Sequence, residues 1–496
     1  MANPFRIYNT LSRTVEEFVP QTPGKVGLYV CGMTVYDRAH VGHARAFVVF
    51  DAFVRYLRFQ GWDVTFVRNF TDIDDKIIRR AGELGEDPAA LANRMIEAFR
   101  EDVEALGLAH PDHEPRVSES IDSIVALIAT LVDGGHAYES EGSVWFEVKN
   151  FAEYGQLSGQ KVDELRSPDE VPGKRHPADF ALWKATRPGE PAWESPWGPG
   201  RPGWHIECSA MSCGALGQTL DIHGGGLDLV FPHHENEIAQ SEAAHGVPYA
   251  RYWMHNGLLT MTGGQKMGKS LGNAFDVRGA LTEFPAEALR LYYLQNRYRS
   301  PLPWSIDALP EALGMLSRLY DAREAAEAMG GEGDADKIAA EMGKNAQEVL
   351  ALGRTFELRF CGALDDDFNT AEALAHAFFL CRAVNRFADH KKAKKRGGPV
   401  VAPALAAFAL LGDALGLVAS PVAAFHEEVK TKRLAAMGLE RADVEAMLQA
   451  RVAARADKDW ARSDALRDEL EGKGIVVMDT PQGVMWRVRC VAPADC

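Results

Sequence analysis

Apolar and polar positions along the first 120 residues alternate between two periods, and so predict strand and helix in turn. Residues 26–30 form a short continuous apolar run, the pattern of a buried strand. From near His43, apolar residues recur at helical spacing through Phe47, Phe50, Phe53, Val54 and Leu57 and stop at Gly61. Residues 64–69 repeat the strand pattern, and Thr71-Asp72-Ile73-Asp74-Asp75-Lys76 opens another helix. Carboxylates suit a helix N-terminus, so capping accounts for the three aspartates. Thr71, at the strand's end, is better placed to touch a ligand. Helices are predicted over 88–106 and 118–133. Residues 136–200 are less regular, strand-like at 144–148 and rich in Pro, Gly and Trp towards the end.

The alternation then returns. A helix is predicted at 203–208, a short strand at 219–222 and a turn at His223-Gly224-Gly225-Gly226-Leu227-Asp228. A helix opened by Pro232-His233-His234-Glu235-Asn236-Glu237 and a strand-like run at 252–259 follow. Helical spacing runs from 285 to 455 with a break at 390–402, whose Lys391, Lys392, Lys394, Lys395 and Arg396 read as a solvated loop. A helix at 460–470 precedes strand-like runs at 475–478 and 484–488 around Pro481-Gln482-Gly483, a predicted hairpin. The fold class is therefore α/β: a doubly wound, Rossmann-like parallel sheet split by an insertion, then a helical bundle and a small C-terminal α/β module. The divisions expected are 1–119 and 201–260 for the two halves of the sheet domain and 120–200 for the insertion. Residues 261–315 connect to the bundle at 316–425 and the terminal module at 426–496.

Composition narrows the class. A chain of 496 residues is too long for one core and should hold about three domains. It is 46% hydrophobic and 25% charged, as soluble proteins are, and no segment reads as a membrane span or a secretory signal. Seven irregularly spaced cysteines point to a reducing cytoplasm with thiols available for metal or chemistry. The net charge of −16 argues against nonspecific nucleic-acid binding but leaves room for a local basic groove.

Two sets of residues could carry chemistry. Cys31 at a strand end, Cys208 on a predicted helix, and His233 and Glu237 one helical turn apart offer sulfur, nitrogen and oxygen donors suited to zinc. Spacing alone favours reading the thiols as buried free cysteines. His40, Gly42 and His43 lie at a helix N-terminus, where phosphates bind. The run 224–226 would let a nucleotide approach, Asp228 could accept from ribose hydroxyls, and Lys266 and Lys269 on a Gly-flanked loop could neutralise phosphates.

At these residues the chain resembles the cysteinyl-tRNA synthetases, a family of class I. His40-Val41-Gly42-His43 is similar to their His-Ile-Gly-His signature, and Lys266-Met267-Gly268-Lys269-Ser270 to their Lys-Met-Ser-Lys-Ser loop. The stretches 31–37, 69–76, 203–211 and 231–237 also resemble the family, in its order. Gly268 in place of serine and Ala46 in place of a frequent threonine depart from the pattern.

The resemblance implies adenylation of L-cysteine by ATP with Mg2+, then transfer to tRNA(Cys). His40, His43, Lys266 and Lys269 would be catalytic, and with Thr34, Gly42, Gly226 and Asp228 would bind ATP. Gly32, Thr34, Thr71 and Trp204 would bind the amino acid. One Zn2+ on Cys31, Cys208, His233 and Glu237 would select the substrate sulfur, with no editing site. It also implies a cytoplasmic monomer without membrane contact, 261–315 as the signature-loop and stem-contact region, and 426–496 as an anticodon-binding module. Two other readings stay open: a cysteine ligase acylating an amino sugar in mycothiol synthesis, and a zinc-stabilised RNA-binding protein without catalysis.

Overall fold

The computed structural model describes residues 4–165, 172–260, 275–480 and 483–490. At its centre lie four parallel strands, β1 (Lys25–Thr34), β2 (Asp63–Thr71), β3 (Leu220–Gly226) and β4 (Ala250–Asn256), in the order β4-β3-β1-β2. Helix α1 (Val41–Phe59) crosses from β1 to β2, while α2 (Trp204–Leu216) and α3 (Glu235–His245) serve the other half. Strand order reverses between β1 and β3, and in open α/β sheets ligands bind at that switch point, beyond the strands' C-terminal ends.

Two strands run further than their apolar runs predict. β1 continues through Cys31, Gly32 and Thr34, so these residues lie on the strand and not in the turn after it. Pairing with β2 shifts between Val30 and Met33 and then resumes at Met33–Phe70 and Thr34–Thr71. Gly32 permits this. A Cβ there would sit 1.7 Å from the Asn69 carbonyl oxygen, and the Gly32 amide donates to Asn69 Oδ1 at 2.8 Å. Likewise β3 extends through His223, Gly224, Gly225 and Gly226, where a turn was expected. A Cβ on Gly224 would meet Phe50 Cζ at 2.4 Å, and one on Gly225 would meet His234 Cε1 at 2.9 Å. These glycines make room for side chains, and so a glycine run continues a buried strand. The strand expected at 252–259 instead ends at Asn256, with Leu259–Thr260 pairing separately to Leu302–Pro303.

The insertion forms an antiparallel sheet of Ala137–Ser140, Ser143–Phe146, Phe180–Ala185 and Gly200–Pro202 over a core of Val144, Phe146, Leu182 and Trp183. It is bound to α3: Glu235 accepts from the Gly155 and Ser158 amides at 2.9 and 2.7 Å, and Tyr154 donates to Asn236 Oδ1 at 2.5 Å. Asp74 caps helix Asp75–Leu84 as expected, accepting from the Lys76 amide at 2.8 Å. Asp72 instead binds Ser118, and Asp75 binds Lys184 and Arg201.

Helices Leu309–Glu327, Lys344–Leu364, Thr370–Ala388 and Gly398–Leu415 form the bundle. Contrary to expectation, Gly398–Leu415 has the length and composition of a membrane span, with mean hydropathy 1.6. Half of it is buried, through Val400, Val401, Phe408 and Leu411, among the bundle and α1. The basic run is also not simply a loop, since Ala393–Arg396 forms one helical turn; its lysines and Arg396 remain exposed. At the C-terminus, helices Arg441–Ala456 and Trp460–Gly472 and the hairpin Ile475–Thr480/Gly483–Val488 close a separate core of Val444, Leu448, Leu470, Ile475 and Trp486.

One buried ion pair joins the sheet domain to the bundle. Arg290 and Asp51 are 2% and 3% exposed and meet at 2.6 Å. Arg290 also donates to the Leu415 carbonyl, and Asp51 accepts from the Ala109 amide. Asp51 also holds Arg55 Nε at 2.8 Å, so removing Arg290 takes away one of two cations on a buried carboxylate. Arg290→Ala should therefore cost roughly 2 kcal/mol of stability, the scale of a hydrogen bond to a charged group. Urea unfolding will check this; a change below roughly 1 kcal/mol, the range of exposed pairs, would contradict it.

Candidate metal centre and nucleotide pocket

Four donors from three parts of the chain meet beneath the switch point. β1 supplies Cys31, the second turn of α2 supplies Cys208, and the entry to α3 supplies His233 and Glu237. Their ligand atoms all lie within 4.8 Å of one another and all four residues are buried. His233 sits in the irregular turn Val230–His234 and not on α3 proper, yet its Nε2 still reaches Glu237 Oε1 at 3.0 Å. The two sulfurs are 3.7 Å apart. Thiolates held ~2.3 Å from one ion at a tetrahedral angle are separated by roughly 3.8 Å, so the donor set fits zinc in chemistry and in spacing.

The electrostatics favour a cation. Burial raises the Cys31 thiol well above its usual range, and its hydrogen bond to Cys208 brings the Cys208 thiol down to about 6, so the pair holds one proton between them. Burial opposes ionisation of Glu237, but His223 and His233 overcome it and hold the carboxyl well below its usual range. Burial likewise disfavours a charged His233, yet Glu237 lifts it to about 10. Without a metal, the cluster thus carries a thiolate and a carboxylate against one imidazolium, His233, whose proton a metal bound there would displace.

Three histidines outside the expected ligand set surround it, His223 and His234 buried and His205 partly so. His223 Nε2 meets Glu237 Oε2 at 2.8 Å. His234 Nε2 lies 3.4 Å from Cys31 Sγ and its Nδ1 2.8 Å from His255 Nε2. His205 Nδ1 lies 3.0 Å from His233 Nδ1. Cys31, His223, His234 and Glu237 make a second, overlapping quartet within the same 4.8 Å limit. A third group, Asp321, Glu324 and His426, is partly exposed, and Arg487 pairs with both of its carboxylates.

Above the cluster opens a cavity of about 350 Å³. It brings together Cys31, Gly32, Thr34, His40, Gly42, His43, Trp204, Gly226 and Asp228, all singled out in sequence. Trp204 stacks on His233 at 4.2 Å between ring centres, forming a wall between the metal donors and the cavity. Thr71 lies off the cavity, 3% exposed, its hydroxyl donating to Glu207 Oε2 at 3.3 Å. Lys266 and Lys269 lie outside the described residues.

His40 is the N-cap of α1. Its Nδ1 accepts from the Gly42 and His43 amides at 3.0 and 3.3 Å, and His43 Nδ1 accepts from the His40 amide at 3.4 Å. The helix's first amides are therefore taken up by the signature itself. An Nδ1 that accepts places the ring's proton on Nε2, so an anion at this turn would meet imidazole N–H groups and not these amides. The rings stack at 3.7 Å. The cavity also exposes two features absent from the sequence reading. Lys76 lies 6.0 Å from the Trp204 ring centre. Asn256, 1% exposed, has neither amide atom partnered among the described residues.

Comparison with known proteins identifies the family. The family described as "tRNA synthetases class I (C) catalytic domain" matches residues 17–314, "DALR domain" matches 359–419, and "Cysteinyl-tRNA ligase anticodon binding domain" matches 440–487. The chain is 50% identical to the cysteine–tRNA ligase of Syntrophotalea carbinolica over 98% of its own length and 99% of the relative's. It is 52% identical to that of Alkalilimnicola ehrlichii, covering 97% and 99%. In fold it is similar to Mycobacterium tuberculosis methionyl-tRNA synthetase bound by methionyl-adenylate, with a TM-score of 0.60 at 16% identity, over 79% of this chain and 92% of that one. A match running nearly end to end, over a switch-point cavity that Cys31 of the buried cluster lines, means that this chain belongs to the cysteinyl-tRNA ligase family of class I tRNA synthetases.

Proposed function

We propose that this chain joins L-cysteine to tRNA(Cys) in two steps, forming cysteinyl-adenylate from ATP and then esterifying the terminal adenosine of the tRNA. Full-length similarity to cysteine–tRNA ligases supports the reaction. The observation that carries the residue assignment is the buried Cys31–Cys208 pair, whose Cys31 lines the same cavity as the signature histidines. The amino-sugar ligase of mycothiol synthesis is not favoured, because the match extends through the anticodon-binding family at 440–487.

Adenylation is an in-line displacement at the α-phosphate, so the protein must position two reactants and stabilise charge developing on phosphate oxygens. His40 and His43 would serve the phosphates through Nε2, their other nitrogens being committed to the cap of α1. Asp228 would accept from the ribose, beside Gly226, where a Cβ would crowd that carboxylate at 2.5 Å. The unpartnered Asn256 amide offers the nucleotide a donor and an acceptor together. Lys266 and Lys269 would act on the leaving pyrophosphate. The segment carrying them is flanked by Phe275, whose carbonyl accepts from the Val41 amide at 3.0 Å, at the start of α1. ATP would bring Mg2+.

Gly32, Thr34 and Trp204 would frame the amino acid, with the Thr71–Glu207 pair buried outside the cavity lining. One zinc ion held by Cys31, Cys208, His233 and Glu237 would supply a soft acceptor that prefers the sulfur of cysteine to the oxygen of serine. An apolar pocket alone separates such isosteres by only ~1–3 kcal/mol, so sulfur-specific binding removes the need for editing. We further propose a cytoplasmic monomer, with residues 426–496 reading the anticodon end of the tRNA.

Two outcomes are expected. Cys208→Ser should lower zinc content and raise the KM for cysteine more than that for ATP; unchanged metal stoichiometry in the purified variant would contradict the ligand assignment. His40→Asn keeps a good N-cap but removes the imidazole. It should leave thermal stability and zinc content intact while slowing cysteine-dependent pyrophosphate exchange by about 10²-fold, the effect of removing one transition-state donor. A parent-like exchange rate would count against the role given to His40.

A further inference from the structure

The two overlapping quartets share Cys31 and Glu237, and the contacts of Glu237 distinguish them. Its Oε1 faces His233 Nε2 at 3.0 Å and Cys31 Sγ at 3.6 Å. Its Oε2 points the other way and accepts from His223 Nε2 at 2.8 Å and from the Tyr249 hydroxyl at 3.0 Å. A carboxylate oxygen only accepts, so the His223 proton lies on Nε2. To ligate a metal through Nε2 instead, His223 would have to carry its proton on Nδ1. That atom is buried and has no partner among the described residues, and a ligating histidine ordinarily donates its other N–H to one. The ring is also confined: it stacks on Trp253 at 4.6 Å, and Tyr29 and Tyr249 lie edge-on at 5.3 and 5.5 Å.

We propose that His223, together with Tyr249, is a positioning residue that holds Glu237 by its outer oxygen, so that the carboxylate offers the ion one oxygen and leaves a position open for the substrate sulfur. The inference rests on the zinc reading above. A carboxylate ligates through one oxygen or through both. Here the second oxygen is engaged by two donors fixed in the wall of the fold, one on β3 and one at residue 249, just before β4. Released from them, Glu237 could turn both oxygens to the ion and occupy the place that an incoming sulfur needs. His223 thereby acts on amino-acid binding without touching the amino acid.

The test uses the full chain with cobalt(II) exchanged for zinc, titrated with L-cysteine and followed by sulfur-to-cobalt charge-transfer absorption. In the parent the band should grow as cysteine binds. His223→Leu and the milder Tyr249→Phe should keep the band due to Cys31 and Cys208 but need about tenfold more cysteine for the added signal, the usual scale for loss of an outer-sphere partner. His223→Gln, whose amide N–H can still reach Oε2, should titrate like the parent. Parent-like titration of both His223→Leu and Tyr249→Phe would overturn the proposal. So would a Gln variant that has lost the parent's spectrum, because His223 would then be a ligand. A parent spectrum that does not respond to cysteine would instead overturn the zinc reading on which the proposal rests.

Discussion

A carboxylate with no exposed surface persists in ionised form only where enough donors and positive charge surround it. Glu237 is such a group, and much of this fold is arranged around it. His233 and His223 take one oxygen each, and Tyr249 shares the second. These partners come from the entry to α3, from the centre of the parallel sheet and from the end of the α3–β4 connection, so neutralising one charge fixes three segments against each other. The two thiols then close the remaining side. Because the cluster is already anionic before any ion arrives, a divalent cation removes an electrostatic cost instead of adding one, and metal binding and folding stabilise each other.

The second consequence lies in β1. Cys31 is on that strand, and His40 caps the helix that follows it. Eight residues therefore lie between the sulfur donor and the capping imidazole, and both are held by backbone: Cys31 by pairing on either side of the bulge, His40 by the amides of α1. On the proposed assignment, one strand and turn would thus set selection of the amino acid and activation of ATP in register. The Gly32 approach to Asn69 makes this possible, since a side chain there would force β1 and β2 apart.

Much of this was legible in the sequence, and the failures have physical causes. The alternation of apolar runs and helical spacing located the sheet domain, its insertion and the bundle, because burial dictates those periods. The donors Cys31, Cys208, His233 and Glu237 were identifiable from residue type and from family resemblance together, and the fold brings them within reach of one ion. His223 was missed because three glycines follow it and glycine runs ordinarily mark turns. In this chain the glycines accommodate Phe50 and His234 against a strand buried on both faces, a requirement visible only once the helices are packed. Asn256 was missed for a related reason. An asparagine at a strand end has many uses, and only its unpartnered amide within a cavity distinguishes it. Helix Gly398–Leu415 gives the reverse case, in which composition suggests lipid and packing supplies a protein core.

The central claim is that the buried cluster reads the substrate's sulfur directly. Zinc K-edge X-ray absorption of the purified protein addresses it without depending on turnover. Two sulfur neighbours are expected in the resting protein, from Cys31 and Cys208, and three when L-cysteine is added, with no change on adding L-serine. A sulfur count that stays at two in the presence of saturating L-cysteine would contradict it.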